Sequence, residues 1–178
     1  MLLFLLLVPL AGGMACACLS GRRADVLAAV TMVATAALTL ASAPWGGKVA
    51  ASPHVWSPLP GVALGLRLDG LGALLALVVS LVGLCIVVYS ADYFSLQNRE
   101  HPEAEGKGRY YFFFLLFVTA MLGMALAPDF FQIFLFWELT TVCSWALISH
   151  YGSQEAIRSG LKALAVTQFA SLFFIGGL

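Results

Sequence analysis

The sequence predicts an all-α, polytopic bundle of about six membrane-spanning helices with its amino terminus outside. Three observations carry this. First, 61% of the 178 residues are hydrophobic and only 10% are charged, with a mean hydropathy of +0.95, whereas a soluble domain carries roughly 25% charged residues. Second, the apolar residues fall in six runs, each near the ~20 helical residues that cross about 30 Å of hydrocarbon. Third, the runs are continuous rather than alternating, and backbone groups cannot stay unpaired in lipid, so helices are favoured over barrel strands. Nine basic residues balance nine acidic ones, which leaves no electrostatic footprint for nucleic acid. Disorder is excluded too, because it needs low hydrophobicity and high charge.

The first run covers residues 1–19 and is closed by Arg22 and Arg23. It has no basic segment ahead of it and a second run follows closely, so a retained helix is favoured over a cleaved signal peptide. The second run, 26–43, is closed by Pro44. The third, 70–91, and the fourth, 110–127, contain no charge that would oppose insertion. The fifth, 130–149, holds one acid, and the sixth, 156–178, holds Lys162 in its second turn. Between the second and third, residues 44–69 carry Pro44, Pro53, Pro58 and Pro60 with several glycines. That composition predicts an extended or hairpin-like loop. Residues 91–109 concentrate charge, with Arg99, Glu100, His101, Glu103, Glu105, Lys107 and Arg109, and read as a solvated loop. Pro128 and Asp129 make a tight turn in which Asp129 is placed to cap the fifth helix.

Basic residues choose the orientation. With the amino terminus outside, the cytoplasmic loops hold Arg22, Arg23, Arg99, Lys107, Arg109 and Arg158, and the outer loops only Lys48 and Arg67. The four cysteines, Cys16, Cys18, Cys85 and Cys143, lie in apolar runs without a CxxC pair and read as small buried hydrophobes.

Two charges sit inside spans beyond their first turn: Glu138 and Lys162. Each costs at least ~2.5–3.5 kcal/mol at a helix centre. Glu138 lies nine residues after Asp129, about 13–14 Å along the axis and so near the midplane. An acid there is either held neutral by desolvation or kept charged by a cation and water. Either condition couples its proton to nearby charge, as a proton relay requires. The competing reading is a permanently protonated acid bonded to a hydroxyl such as Thr141. Lys162 lies about 10 Å into the sixth span, where it can snorkel to the cytoplasmic surface or serve as an inner member of a proton path, linked to Glu138 through water. Thr167, Gln168 and Ser171 either continue a polar face there or join helices. His150 and His101 are interfacial histidines or proton-entry groups. Trp45, Trp56 and Trp145 suit interfacial anchoring, while Trp137 is too deep for that and is expected beside Glu138. No nucleotide-binding loop, catalytic triad or haem-type histidine pair is present, so neither redox nor hydrolytic chemistry is expected of this chain.

Several stretches resemble one family. Leu68-Asp69-Gly70-Leu71 through Tyr89-Ser90-Ala91-Asp92-Tyr93 is similar to the third-helix region of antiporter-like subunits. Tyr110-Tyr111-Phe112-Phe113-Phe114 with Met121-Leu122-Gly123-Met124 fits their fourth helix. Asp129 with Phe136-Trp137-Glu138-Leu139-Thr140-Thr141, then Ser144, Leu147 and Ile148, resembles the fifth, and Gly160-Leu161-Lys162-Ala163 with Thr167 the sixth. The family comprises the L-type (chain 5) subunits of NADH–quinone oxidoreductase, the A-type subunits of Mrp antiporters and their membrane-hydrogenase relatives.

The resemblance implies a proton-translocating membrane subunit of an NADH–quinone oxidoreductase or a related respiratory or hydrogenase complex, working through Glu138. By the same resemblance Glu138 would pair with a lysine on a broken seventh helix. Lys162 carries over only as the sixth-helix lysine, a secondary residue of the polar path. The A-type subunit of an Mrp sodium/proton antiporter is the alternative, and a non-catalytic scaffold or assembly subunit is a third reading. The chain ends at Gly176-Gly177-Leu178 without a polar or basic flank, so residues 1–178 are expected to be the amino-terminal portion of a longer subunit, stopping before the seventh helix. Other membrane subunits, the bilayer, protons and sodium are the implied partners, in the cell (inner) membrane. No cofactor is expected in this chain; flavin, iron–sulfur clusters and quinone would belong to partner subunits of a redox-driven complex.

Overall fold

Each apolar run of the sequence folds as one helix: α1 Leu2–Ala17, α2 Arg22–Ser42, α3 Gly70–Tyr93, α4 Lys107–Ala125, α5 Phe130–Ile148 and α6 Gln154–Gly176. Between α2 and α3 lie two antiparallel strands, β1 Ala50–Leu59 and β2 Val62–Leu68. The computed structural model describes residues 1–44, 49–59, 62–94 and 106–177. Expectations placed on Trp45, Lys48, Pro60, Arg99, Glu100, His101, Glu103, Glu105 and the side chain of Trp56 fall outside the described residues.

Five helices, α2 to α6, are long and apolar enough to cross a membrane, and α1 is a shorter apolar helix of 16 residues. It is shorter than its apolar run because the chain reverses at Cys18 and enters α2 through Gly21 at φ 61°, a left-handed conformation that glycine adopts without steric penalty. In consequence α2 starts at Arg22 and draws Asp25 into its first turn, ahead of the expected start at Val26. Likewise α4 starts at Lys107 rather than Tyr110.

The helices meet through small residues. The buried face of α2 is Ala24, Ala28, Thr31, Met32, Thr35, Ala36 and Thr39. Threonines there return their hydroxyls to the carbonyl four residues back, and Thr39 also meets Ser80 of α3 at 3.1 Å. Close approach and interhelical hydrogen bonds replace hydrophobic driving force inside a bilayer. Helix α4 packs against α1, α2, α3 and α5, and α6 packs on α5. Leu71, Leu74, Val78, Leu81 and Val88 of α3 remain exposed, as a lipid-facing surface requires.

The expected hairpin-like linker is a true β-hairpin, and it closes one end of the bundle. Leu66 and Leu68 of β2 pack with Leu2, Leu5, Ala73 and Leu126. Residues from the helical part pair the edge of β2. Arg67 N–H donates to the Leu126 carbonyl at 2.8 Å. The Gln132 side-chain amide holds Gly65 from both sides, with Nε2 donating to the Gly65 carbonyl at 2.8 Å and Oε1 accepting from its N–H at 3.2 Å. Asp69 caps α3 by accepting from Gly72 N–H, and Asp129 caps α5 by accepting from Gln132 N–H, each at 2.8 Å. The second cap is the one expected from sequence.

Replacing Gln132 by Leu should orphan both Gly65 groups at a site where Gln132 is only 2% exposed. About 1–3 kcal/mol is lost for each buried group left without a partner. We expect a lowered thermal-unfolding midpoint in detergent, with protease cleavage appearing first in the hairpin.

Candidate functional site

Helix α5 has two working faces, and their separation places the central acid. Gln132, Phe136 and Cys143 lie within about 40° of one another at 3.6 residues per turn. Gln132 is bound to β2. The Phe136 ring occupies the space where a Cβ on Gly123 of α4 would stand. Cys143 is fully buried. Glu138 is two residues beyond Phe136, about 200° around the helix, and so turns to the opposite side, toward α6. Trp145 and Ser149 share that side and straddle Gly160 of α6, where a Cβ would collide with the Ser149 hydroxyl.

Glu138 is the ninth of the 19 residues of α5, about 12–15 Å from the two ends. Its Oε2 accepts a hydrogen bond from Gln168 Nε2 of α6 at 2.5 Å. Its Oε1 is buried and has no hydrogen-bond partner among the described residues. The expected alternative partner, Thr141, instead donates to the Trp137 carbonyl at 3.2 Å. Trp137 turns to Phe174 of α6, ring centroids 5.8 Å apart, and is 39% exposed.

Lys162 lies six residues before Gln168, about 9 Å nearer the basic end of the bundle and about 120° away around α6. It is exposed, and among the described residues no hydrogen bond or ion pair joins it to Glu138. The structure therefore pairs Glu138 with Gln168 and leaves Lys162 on the outer face of α6.

A second polar centre has no counterpart among the sequence expectations. Asp25 of α2 and Lys107 of α4 form a buried ion pair, with Nζ 2.9 Å from Oδ2 and 3.1 Å from Oδ1. Tyr111 donates its hydroxyl to Oδ1 at 2.8 Å, and Lys107 also donates to the Ala91 carbonyl at 3.4 Å. Charge density places Lys107 in a solvated loop, yet its side chain is only 7% exposed. The reason is geometric: Gly108 lies against the Cys16 and Leu19 carbonyls, so α4 starts deep beside α1 and α2. The one signal in the sequence is an acid standing shortly before an apolar run, behind two arginines.

His150 also lies at this end. It is buried and surrounded by Phe94, Tyr110 and Tyr151, with ring centroids 5.5–5.7 Å away, while its carbonyl accepts from Arg109 at 2.8 Å. No three His, Cys, Asp or Glu side chains come together as metal ligands among the described residues.

Residues 56–111 match the family described as NADH-Ubiquinone oxidoreductase (complex I), chain 5 N-terminus, and residues 127–178 match NADH:quinone oxidoreductase/Mrp antiporter, TM. The chain is 37% identical over 142 residues to the A1 subunit of a Na(+)/H(+) antiporter of Staphylococcus aureus, a match covering 79% of this chain and 17% of that protein. A chain of the Mrp complex from Dietzia sp. DQ12-45-1b superposes with a TM-score of 0.78 at 28% identity, over 96% of this chain and 18% of that one. A chain of the membrane-bound sulfane sulfur reductase, an archaeal respiratory membrane complex, shares the fold with a TM-score of 0.74 at 20% identity, over 99% of this chain and 36% of that one. The sequence thus spans only a minor part of the length of these relatives.

The buried pair gives a clear mutational expectation. Lys107→Met alone strands the Asp25 carboxylate, and removing one partner of a buried pair costs about 3–5 kcal/mol. Asp25→Leu combined with Lys107→Met should recover most of that loss. A double-mutant cycle on thermal unfolding in detergent measures both.

Proposed function

The chain belongs to the family of antiporter-like subunits shared by NADH:quinone oxidoreductase and Mrp antiporters, and on that premise we propose that it is a proton-translocating section of the A-type subunit of an Mrp Na+/H+ antiporter. It is a multi-pass membrane protein, proposed to reside in the cell (inner) membrane with other membrane subunits around it. The observation that carries the transport reading is Glu138: a carboxyl group at mid-helix with one oxygen bonded and the other buried without a partner among the described residues. A carboxyl group so placed keeps a lone pair open to a proton, and its charge changes when the proton comes or goes. Each event alters the local field by one full charge in a low-dielectric surround, where such a change is felt strongly. The similarity to the Staphylococcus aureus antiporter favours sodium exchange as the counter-process.

A second reading keeps Glu138 in the same role but places the chain in an NADH–quinone oxidoreductase or related redox-driven complex. The match of residues 56–111 to the chain 5 family supports it. In that case the flavin, iron–sulfur clusters and quinone reside in partner subunits. Under either reading Lys162 is a secondary member of the polar path on the basic side, which by the distribution of Arg22, Arg23, Lys107, Arg109 and Arg158 is the cytoplasmic side.

Glu138→Gln in the full-length complex keeps the side-chain shape but cannot release a proton. We expect normal assembly and loss of proton transport to background in membrane vesicles. Transport that survives the substitution in an assembled complex would leave the scaffold reading standing instead. Driving the same vesicles with a sodium gradient or with NADH separates the two transport readings. Lys162→Ala should slow transport only several-fold, since Lys162 makes no direct bond to the acid.

A further inference from the structure

The two oxygens of Glu138 are not equivalent, and their difference assigns a role to Gln168. Oε2 receives the Gln168 amide N–H, while Oε1 is buried and unpartnered among the described residues. Glutamine is a demanding residue on a membrane helix, because its amide must find partners inside the protein. Its bond ties α6 to α5. Among the described residues of α6 only Gly160 and Ser171 are buried, with Phe174 resting on Phe134 and Trp137.

We infer that Gln168 is a positioning residue for the proton-bearing group: it fixes Oε2 so that Oε1 is the atom that takes up and releases the proton. The chemistry balances simply. A hydronium ion gives up one proton to a lone pair of Oε1: one of its O–H bonds breaks, a neutral water leaves, and the new O–H bond converts the carboxylate to a carboxylic acid. Oε2 then becomes the carbonyl oxygen and still accepts the same amide N–H. The bond between α5 and α6 therefore survives in both states, and proton uptake breaks no hydrogen bond. A lysine at 168 would instead favour one charge state, and a leucine would leave the carboxyl free to turn. This rests on the proposed role of Glu138 as the transporting acid.

The test is infrared difference spectroscopy on the full-length complex in its membrane, with the Glu138 carboxylic carbonyl band identified by its loss in Glu138→Gln. In Gln168→Leu the carbonyl loses its donor. The band should move to higher wavenumber, and ion-exchange turnover should fall about tenfold, with the KM for sodium unchanged. In Gln168→His, which retains an N–H donor, the band should stay at its original wavenumber. Should the Leu variant fail to assemble, the His variant decides: an unshifted band supports the assignment and a shifted one overturns it. A Glu138 band that is present but indifferent to Gln168→Leu overturns this inference alone. Absence of any Glu138 band overturns the transport role of Glu138 and this inference with it.

Discussion

Inside a bilayer a polar group has no water to fall back on, so each must find its partner in the protein. That constraint organises this chain from end to end. Threonine hydroxyls along α2 turn back to their own helix, and Thr39 reaches Ser80 across the α2–α3 seam. The edge of β2 is completed by a glutamine amide and a helix-terminal carbonyl. The ammonium of Lys107 is surrounded by the Asp25 carboxylate and a carbonyl. Among the described residues four buried polar atoms keep no partner, the Ser42 and Ser149 hydroxyls, the Trp145 indole N–H and Glu138 Oε1, and of these only Glu138 can carry a charge.

That contrast underlies the transporting role proposed for Glu138. Both oxygens of Asp25 are engaged, by Lys107 and by Tyr111, so a change in its protonation would break contacts between α2 and α4. The pair behaves as a rivet at the basic end. Glu138 has one oxygen bound and one open, so it can change state with its anchor intact. The two carboxylates thus differ in how many of their oxygens are bonded.

Sequence reasoning recovers what depends on one chain segment at a time. The six helices, the hairpin-like linker and the Asp129 cap follow from hydropathy, proline content and cap chemistry, each of them local. What it misses depends on how helices are turned toward one another. Lys107 and Asp25 stand 82 residues apart, and each looks like an ordinary end-of-helix charge when read alone. Gln168 is visible as part of a polar stripe, but hydropathy carries no information about which neighbour that stripe faces. For the same reason Lys162 and Glu138 are not brought together: Lys162 lies on the outer face of α6. Family resemblance locates the acid but not its amide partner.

The contact between Phe136 and Gly123 has a consequence for direction. With Gln132 tied to the hairpin and the Phe136 ring pressed into the space where Gly123 has no Cβ, the rotation of α5 is keyed like a shaft in its housing. Glu138, on the reverse side, inherits its bearing from that key. The aim of the acid is thus set by a missing methyl group on a different helix, and a substitution there would steer the carboxyl away from its amide without touching either one.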